Sequence, residues 1–531
     1  MGERTNAAKR SRFTAGRHAG VMVPLFSIPS RVSWGIGEIP DLVHFSSWLQ
    51  SAGMDFLQLL PVNEMEEGQS SPYSALSAMA VDPIFIALRD VPDFDEAGGE
   101  AAMPAEDMID LEAVRQSTAI DYATVRSLKT KALRRAFSSF ETRHWRAGSS
   151  RADALRFFKE RESWWLDDYV LFRALHEENN FQHWLEWTPE LRNREAAALS
   201  IAMDRLAGPI LYYEYLQWLA DEQWQLVRRD CAGTGIFGDF PFMVSANSAD
   251  VWARQDEFRV DVSVGVPPDA FSETGQDWGL PGYRWDVVSR NGYEWLRNRT
   301  RRCAELFDGF RVDHLVGFYR TFLKEPDGTT YFVPADESEQ RAQGERLLNL
   351  FSSHGAAILA EDLGTVPDFV RQSMMALGIP GMKVFRWERE WQVDGRPFRD
   401  PADYPSRSVA TSGTHDTATV AEWWDSADGD ERRAAIAVTI LRDQGITADA
   451  PFSDRTRDAL LETLFASGSD LLIVPLQDVF GWRARINRPA SVGDENWTWR
   501  LPGAVEDLAA ETESRRRADF LRRMSRRYHR S

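Results

Sequence analysis

Short apolar runs rich in β-branched and aromatic residues recur along the chain, at residues 20–26, 55–61, 235–241, 307–313, 357–361, 382–387, 407–412 and 471–477. Stretches of helical, amphipathic periodicity, such as 41–52 and 365–377, separate most of them. Apolar runs alternating with such stretches are the mark of a parallel sheet whose strands are joined by crossover helices. Eight units of this kind predict an α/β fold, a (β/α)8 TIM barrel.

The second and third runs are separated by roughly 170 residues, too many for one crossover. From Tyr122 to about Val227 the pattern is helical, with Asp121 placed to cap the first helix and Pro189 and Gly208-Pro209 as punctuation. A largely helical subdomain inserted at about 90–230 is therefore expected, with Trp164, Trp165, Trp184, Trp187, Trp218 and Trp224 as its core rather than as ligand platforms. Residues 92–107 are acidic and rich in Gly and Ala, which predicts an exposed loop. Residues 1–19 form a basic N-terminal extension, 20–510 the barrel with its insertion, and 511–531 an Arg-rich helical tail read as a solvated surface.

Polar residues stand at or just beyond the ends of the eight runs: Ser27, Asn63, Asp239, Asp313, Glu361, Arg386, Asp416 and Asp478. In a TIM barrel that edge carries the active site. Three of these lie in distinctive contexts: Asp308-Gly309-Phe310-Arg311-Val312-Asp313-His314, Ala360-Glu361-Asp362-Leu363-Gly364 and Gly413-Thr414-His415-Asp416. Three convergent carboxylates point to glycoside chemistry, in which one acts as nucleophile, a second as acid and then base, and a third steadies charge on the sugar. Arg311 lies two residues before Asp313, hence on the same strand face, where its charge would keep that carboxylate ionised.

Composition narrows the partners. A net charge of −19 and a pI near 5.1 argue against nucleic acid and leave neutral or cationic substrates. Twenty Trp and thirty Phe provide flat apolar faces of the kind that stack on pyranose rings. Cys231 and Cys303 are far apart and outside any CxxC spacing, which opposes a disulfide framework or zinc site and fits a reducing cytoplasm. No apolar leader core or membrane-length run is present. The His spacings form no HxxxH pair, and no strand runs into a GxGxxG or P-loop, so neither a metal nor another cofactor is expected.

From about Gly20 to Pro502 the chain resembles the amylomaltase, or disproportionating-enzyme, family of 4-α-glucanotransferases, glycoside hydrolase family 77. The resemblance rests on motifs in a shared order. They are Pro24-Leu25-Phe26-Ser27-Ile28-Pro29-Ser30 with Gly35-Ile36-Gly37, Ser71-Pro72-Tyr73-Ser74, and Gly238-Asp239-Phe240-Pro241 with Ser248-Ala249-Asp250-Val251-Trp252. Gly265-Val266-Pro267-Pro268-Asp269, Phe271-Ser272-Glu273-Thr274-Gly275-Gln276-Asp277-Trp278-Gly279, the three carboxylate motifs and Asn496-Trp497 complete the series.

The resemblance implies a barrel with inserted subdomains and no C-terminal β-sandwich domain, transferring α-1,4-glucan segments between maltooligosaccharides by a retaining double displacement. It implies Asp313 as nucleophile, Glu361 as acid/base and Asp416 as transition-state stabiliser. It further implies sugar contacts by Arg311, His314, His415, Ser71, Tyr73 and Trp278, the last in a loop over the cleft; Asp239 also matches a family position, with a structural role as the alternative. Monomer and homodimer both suit the composition. The pattern departs from the family at Asn63-Glu64-Met65, Asn247, Leu315-Val316 and Ala418, and none of these removes a catalytic carboxylate. An α-glucan hydrolase or α-glucosidase on the same scaffold, and a non-catalytic glucan-binding protein, are the alternatives.

Overall fold

The computed structural model describes residues 11–268, 275–489, 491, 493 and 495–530 of the chain. Asp269, the motif residues 271–274 and the first ten residues of the basic extension lie outside the described residues. Eight parallel strands close into a barrel: β1 (His18–Met22), β2 (Phe56–Gln58), β3 (Gly235–Phe240), β4 (Gly309–Val312), β5 (Ala357–Ala360), β6 (Gly381–Val384), β7 (Ser408–Thr411) and β8 (Leu471–Pro475). Each falls within or beside one predicted run. Around the barrel the strands follow chain order, with β8 hydrogen-bonded to β1. Their near-continuous apolar character has a direct cause. Residues of β3, β4 and β5 are buried on both faces, against the barrel interior and the outer helices.

Phe13, only 4% exposed, closes the N-terminal end of the barrel by packing edge-on against Phe56 and Phe237. A Cβ at Gly235 would lie 2.4 Å from the Phe13 ring, so glycine at the start of β3 leaves the space this plug fills.

The insertion is helical, with long helices at Tyr122–Phe140, Ser150–Glu178 and Ala207–Asp230. Asp121 caps the first by accepting from the Thr124 N–H. Pro189 opens the short helix Pro189–Arg192, and Gly208-Pro209 fall in the first turn of the last long helix, where a missing N–H costs nothing. Five of the six tryptophans singled out here are buried and Trp164 is half-buried, as core residues should be.

Three expectations need correction. Residues 92–107 are not a simple exposed loop: they contain the helix Pro92–Glu96 and the start of Ala105–Gln116, and Asp93 is fully buried, accepting from Arg151 and Tyr215. The tail helix Thr512–Arg527 is not merely solvated. Arg517 and Arg530 are buried, and Arg530 donates to the carbonyls of Phe465, Ser467 and Ser469 just ahead of β8. A count of charges cannot register this, because the guanidinium is used on backbone carbonyls left unpaired where a helix ends.

The third correction is a four-stranded antiparallel sheet in the excursions after β3 and β4, ordered Gln276–Tyr283, Phe258–Val266, Thr321–Lys324, Thr330–Val333. Its partly exposed strands carry too little apolar signal to separate them from loops. Among the described residues no helix is long and apolar enough to cross a membrane.

Candidate active site

Strand register builds the floor of the site. Asp239 of β3 pairs directly with Arg311 of β4, and Val312 of β4 pairs with Ala360 of β5. Asp313 and Glu361, one residue further on, therefore emerge side by side, while Arg311 lies on the same strand face as Asp313. The guanidinium, with its side chain 4% exposed, ties the three acids together: Nη1 donates to Asp239 Oδ2 at 2.5 Å, and Nη2 to Asp313 Oδ1 at 2.7 Å and Glu361 Oε2 at 3.1 Å. The His314 backbone N–H also donates to Glu361 Oε2, at 2.8 Å, and the Phe242 N–H reaches Asp313 Oδ2 at 3.4 Å. His314 itself adopts a left-handed φ of +44° as the chain leaves the strand.

Loops build the wall. Asp416, 44% exposed at its side chain, follows β7 and is held by Asn487 Nδ2 on Oδ1 at 2.7 Å and by His415 Nε2, 3.3 Å from Oδ2. Arg485 donates to the Asp416 carbonyl at 2.9 Å. His415 stacks on Tyr73 with ring centroids 5.3 Å apart, and Trp497 closes the trio at 5.8 Å from Tyr73. The Tyr73 hydroxyl donates to Asp239 Oδ2 at 2.7 Å, joining wall to floor. Opposite, Trp278 meets His314 edge-on at 4.8 Å. Trp278 lies in a strand of the small sheet, not in a loop as expected.

The loop bearing Tyr73 is fastened from both sides. Buried Glu64 accepts from Tyr169 at 2.5 Å and pairs with Arg173 at 3.1 Å, both on the insertion helix Ser150–Glu178. Glu66 accepts from Ser245 Oγ at 2.9 Å and from Asn247 Nδ2 at 3.1 Å. Two departures from the family pattern thus have a structural account: Glu64 grips the insertion, and an amide at 247 gives Glu66 a donor where a carboxylate would repel it.

Electrostatics distinguish the acids. Burial pushes Asp313 well above the usual carboxylate range; Arg311 opposes this, and the charges of Glu361 and Asp239 add to it. Burial acts on Glu361 in the same sense, but Arg311 and the His314 N–H outweigh it and hold that carboxyl low. Arg311 thus outweighs burial at Glu361 but not at Asp313, so the two carboxyls shift in opposite directions, and at Asp313 the direction is opposite to the ionising effect expected of Arg311. Because Arg311 touches both carboxyls, it stabilises the ionised form of either one.

Asp416 is held well below the usual range by His415, Asn487 and Arg311, which outweigh its partial desolvation in the cleft. Burial lowers His314 to about 4, so its imidazole is neutral at neutral pH. Burial also raises Tyr73 well above the usual phenol, keeping its hydroxyl a donor.

Of the eight strand-end residues, Asp239, Asp313, Glu361 and Asp416 gather at the site. Ser27 instead donates to the Trp499 carbonyl, Asn63 to that of Ala80, and Arg386 to that of Ala418, while Asp478 accepts from Ser412 and the Val420 N–H. Ser71 accepts from the Tyr73 N–H at 3.3 Å and so shapes the turn that presents the ring. Sequence reasoning missed Asn487 and Arg485: they lie in a segment with neither periodicity nor motif, and it is the fold that brings them to Asp416.

A closed parallel barrel whose strands end in carboxylates gathered on one arginine defines a class, the barrel enzymes that break and remake glycosidic bonds with paired carboxyl groups. Within it, the chain belongs to glycoside hydrolase family 77, the 4-alpha-glucanotransferases, whose family model matches residues 23–506. It is 34% identical to the 4-alpha-glucanotransferase of Thermus thermophilus over 518 residues, covering 94% of this chain and 98% of that one. It is 29% identical to the chloroplastic/amyloplastic 4-alpha-glucanotransferase of Solanum tuberosum, covering 95% and 86%. Among solved structures it resembles amylomaltase from Streptococcus agalactiae in complex with acarbose, with a TM-score of 0.80 and 26% identity over 97% of this chain and all of that one.

Proposed function

We propose that this chain moves α-1,4-glucan segments from a donor to the 4-hydroxyl of an acceptor glucan by retaining double displacement, with Asp313 as nucleophile, Glu361 as acid/base and Asp416 as stabiliser. The observation that carries the reading is the single Arg311 nitrogen shared by Asp313 and Glu361. Two oxygens held by one nitrogen at 2.7 and 3.1 Å keep the carboxyl groups close together, which favours the roughly 5–5.5 Å separation of a retaining pair over the roughly 6.5–9.5 Å that an inverting pair needs for an intervening water. Asp313 attacks the anomeric carbon while Glu361 protonates the departing oxygen. Glu361 then takes the proton of the incoming hydroxyl as that oxygen displaces Asp313 and restores the α linkage. Asp416, kept ionised, faces the positive charge that develops on the ring between these steps.

Transfer prevails over hydrolysis when a bound sugar stands where water would otherwise attack. The Tyr73–His415–Trp497 trio and Trp278 supply aromatic walls for that purpose. Maltooligosaccharides and longer α-1,4-glucans are the substrates in this reading. A reducing compartment such as the cytoplasm is supported by Cys231 and Cys303, both buried as free thiols.

A maltotriose time course resolved by chromatography tests the reading. Disproportionation gives glucose with a ladder of longer products and no net gain in reducing ends, and Asp313→Asn lowers kcat by more than about 10⁴-fold. Rising reducing ends would show hydrolysis instead. Full activity of Asp313→Asn would remove the nucleophile assignment.

A further inference from the structure

We propose that Trp391 is an outer platform that binds an α-glucan chain beyond the residues reacting at Asp313, an inference that rests on the function proposed above. Of the twenty tryptophans, all among the described residues, it alone is exposed, at 52%. Hydrophobic burial favours tucking an indole inward, whereas the excursion that carries this one holds it in water.

The support is built by short bonds. Trp391 stands on an excursion after β6 in which the Glu390 N–H donates to the Pro397 carbonyl and the Arg399 N–H to the Glu388 carbonyl, both at 2.9 Å. Gly395 and Arg396 turn the chain through left-handed φ values of +77° and +42°. Arg389 Nε ties across to the Arg396 carbonyl at 2.8 Å, and the two guanidiniums flank the indole, 5.3 and 6.0 Å from its centroid. Beneath, Phe398 is buried against Phe385 and Trp423.

The excursion leaves the C-terminal end of a barrel strand, hence the catalytic face. It is continuous with the wall of the site. Arg389 pairs with Glu431 at 3.4 Å, and Glu431 also accepts from Trp423 Nε1 at 3.3 Å. The Arg386 guanidinium lies 5.7 Å from the Trp423 ring and donates at 2.6 Å to the Ala418 carbonyl, two residues past Asp416.

The chemistry of the patch selects its occupant. The exposed apolar surface there is Trp391 with Val393, set among Glu390, Gln392, Asp394 and Arg396. One indole ringed by hydrogen-bonding groups matches the apolar face and equatorial hydroxyls of a pyranose; it is too small for a stable protein interface. A net charge of −19 also disfavours a polyanion.

The test compares short and long donors in Trp391→Ala and Trp391→Phe. Trp391→Ala is expected to raise KM for amylose about 3- to 10-fold and to leave kcat and KM for maltotriose within about 2-fold, with Trp391→Phe recovering most of the loss. Equal kinetics on amylose, or equal losses on both substrates, would overturn the platform. Calorimetry of maltoheptaose and amylose binding in an Asp313→Asn background reads the same contact without turnover. Weaker amylose binding with Trp391→Ala supports the platform even if the wild type proves hydrolytic, and unchanged binding overturns it even if transfer is confirmed. A shift from dimer to monomer in Trp391→Ala, with glucan binding intact, would assign the patch to a second copy of the chain and overturn the glucan assignment.

Discussion

The floor and the wall of the site are built on different principles. Asp239 and Arg311 stand on adjacent strands, and Asp313 and Glu361 one residue past the ends of two of them, where register leaves them no freedom: a slip of one residue would turn each side chain to the opposite face. Asp416, Tyr73 and Trp497 come from three separate excursions, each placed by side-chain contacts with other parts of the chain, while Trp278 comes from a fourth and is carried by the small sheet. The floor is therefore rigid by backbone pairing, whereas the wall, Trp278 apart, is only as firm as its individual side-chain contacts. In the mechanism proposed above, the floor must be exact, while the choice of glucan is assigned to the wall.

Three changes probe this contrast. The largest effect is expected in the floor. Arg311→Lys keeps the charge but loses the fork that serves three carboxylates at once, and kcat/KM for maltotriose should fall about 10²–10³-fold with the melting temperature little changed. A fall of only a few-fold would mean that charge alone, not geometry, organises the acids.

In the wall, Asn487→Ala removes one charge-assisted bond to Asp416 and should lower kcat about 10-fold while changing KM little. A loss as deep as that of Arg311→Lys would erase the distinction between the two regions.

The third effect falls on stability rather than turnover and is expected where the wall leans on the insertion. His176 is buried beside Arg173 and within 3.3 Å of Asn247 Nδ2, and burial followed by the Arg173 charge lowers its pKa to about 4. An imidazole that stays neutral when folded but accepts a proton when unfolded contributes stability that is complete above about 6.5 and is lost as pH falls toward 4. Urea unfolding at pH 7 and pH 5 should show the wild type losing about 2 kcal/mol more than His176→Gln over that interval. Parallel losses in the two proteins would show that His176 is not the group responsible.

Much of this architecture was legible in the chain. The eight strands were readable because a parallel strand buried on both faces is a continuous apolar run, and the carboxylates because they end such runs beside Arg311 and His415. The small antiparallel sheet was not, since its strands are half exposed and their pairing joins Phe258–Val266 to Thr321–Lys324 across β4. Nor was the helix beginning at Pro92: what anchors it is Asp93 meeting Arg151 and Tyr215, partners distant in sequence. Arg530 deceived for a similar reason, as its targets are backbone carbonyls that carry no residue identity.

By itself the sequence determined the barrel, the positions of the three acids and, through ordered motifs, the family. These depend on periodicity and local spacing, which a linear pattern records. Tertiary structure decided that one arginine nitrogen serves both Asp313 and Glu361, that Asn487 steadies Asp416, and that Trp391 among twenty tryptophans faces water. Those outcomes follow from which strands become neighbours and which surfaces remain uncovered, and burial and through-space charge are properties of the folded arrangement rather than of position along the chain.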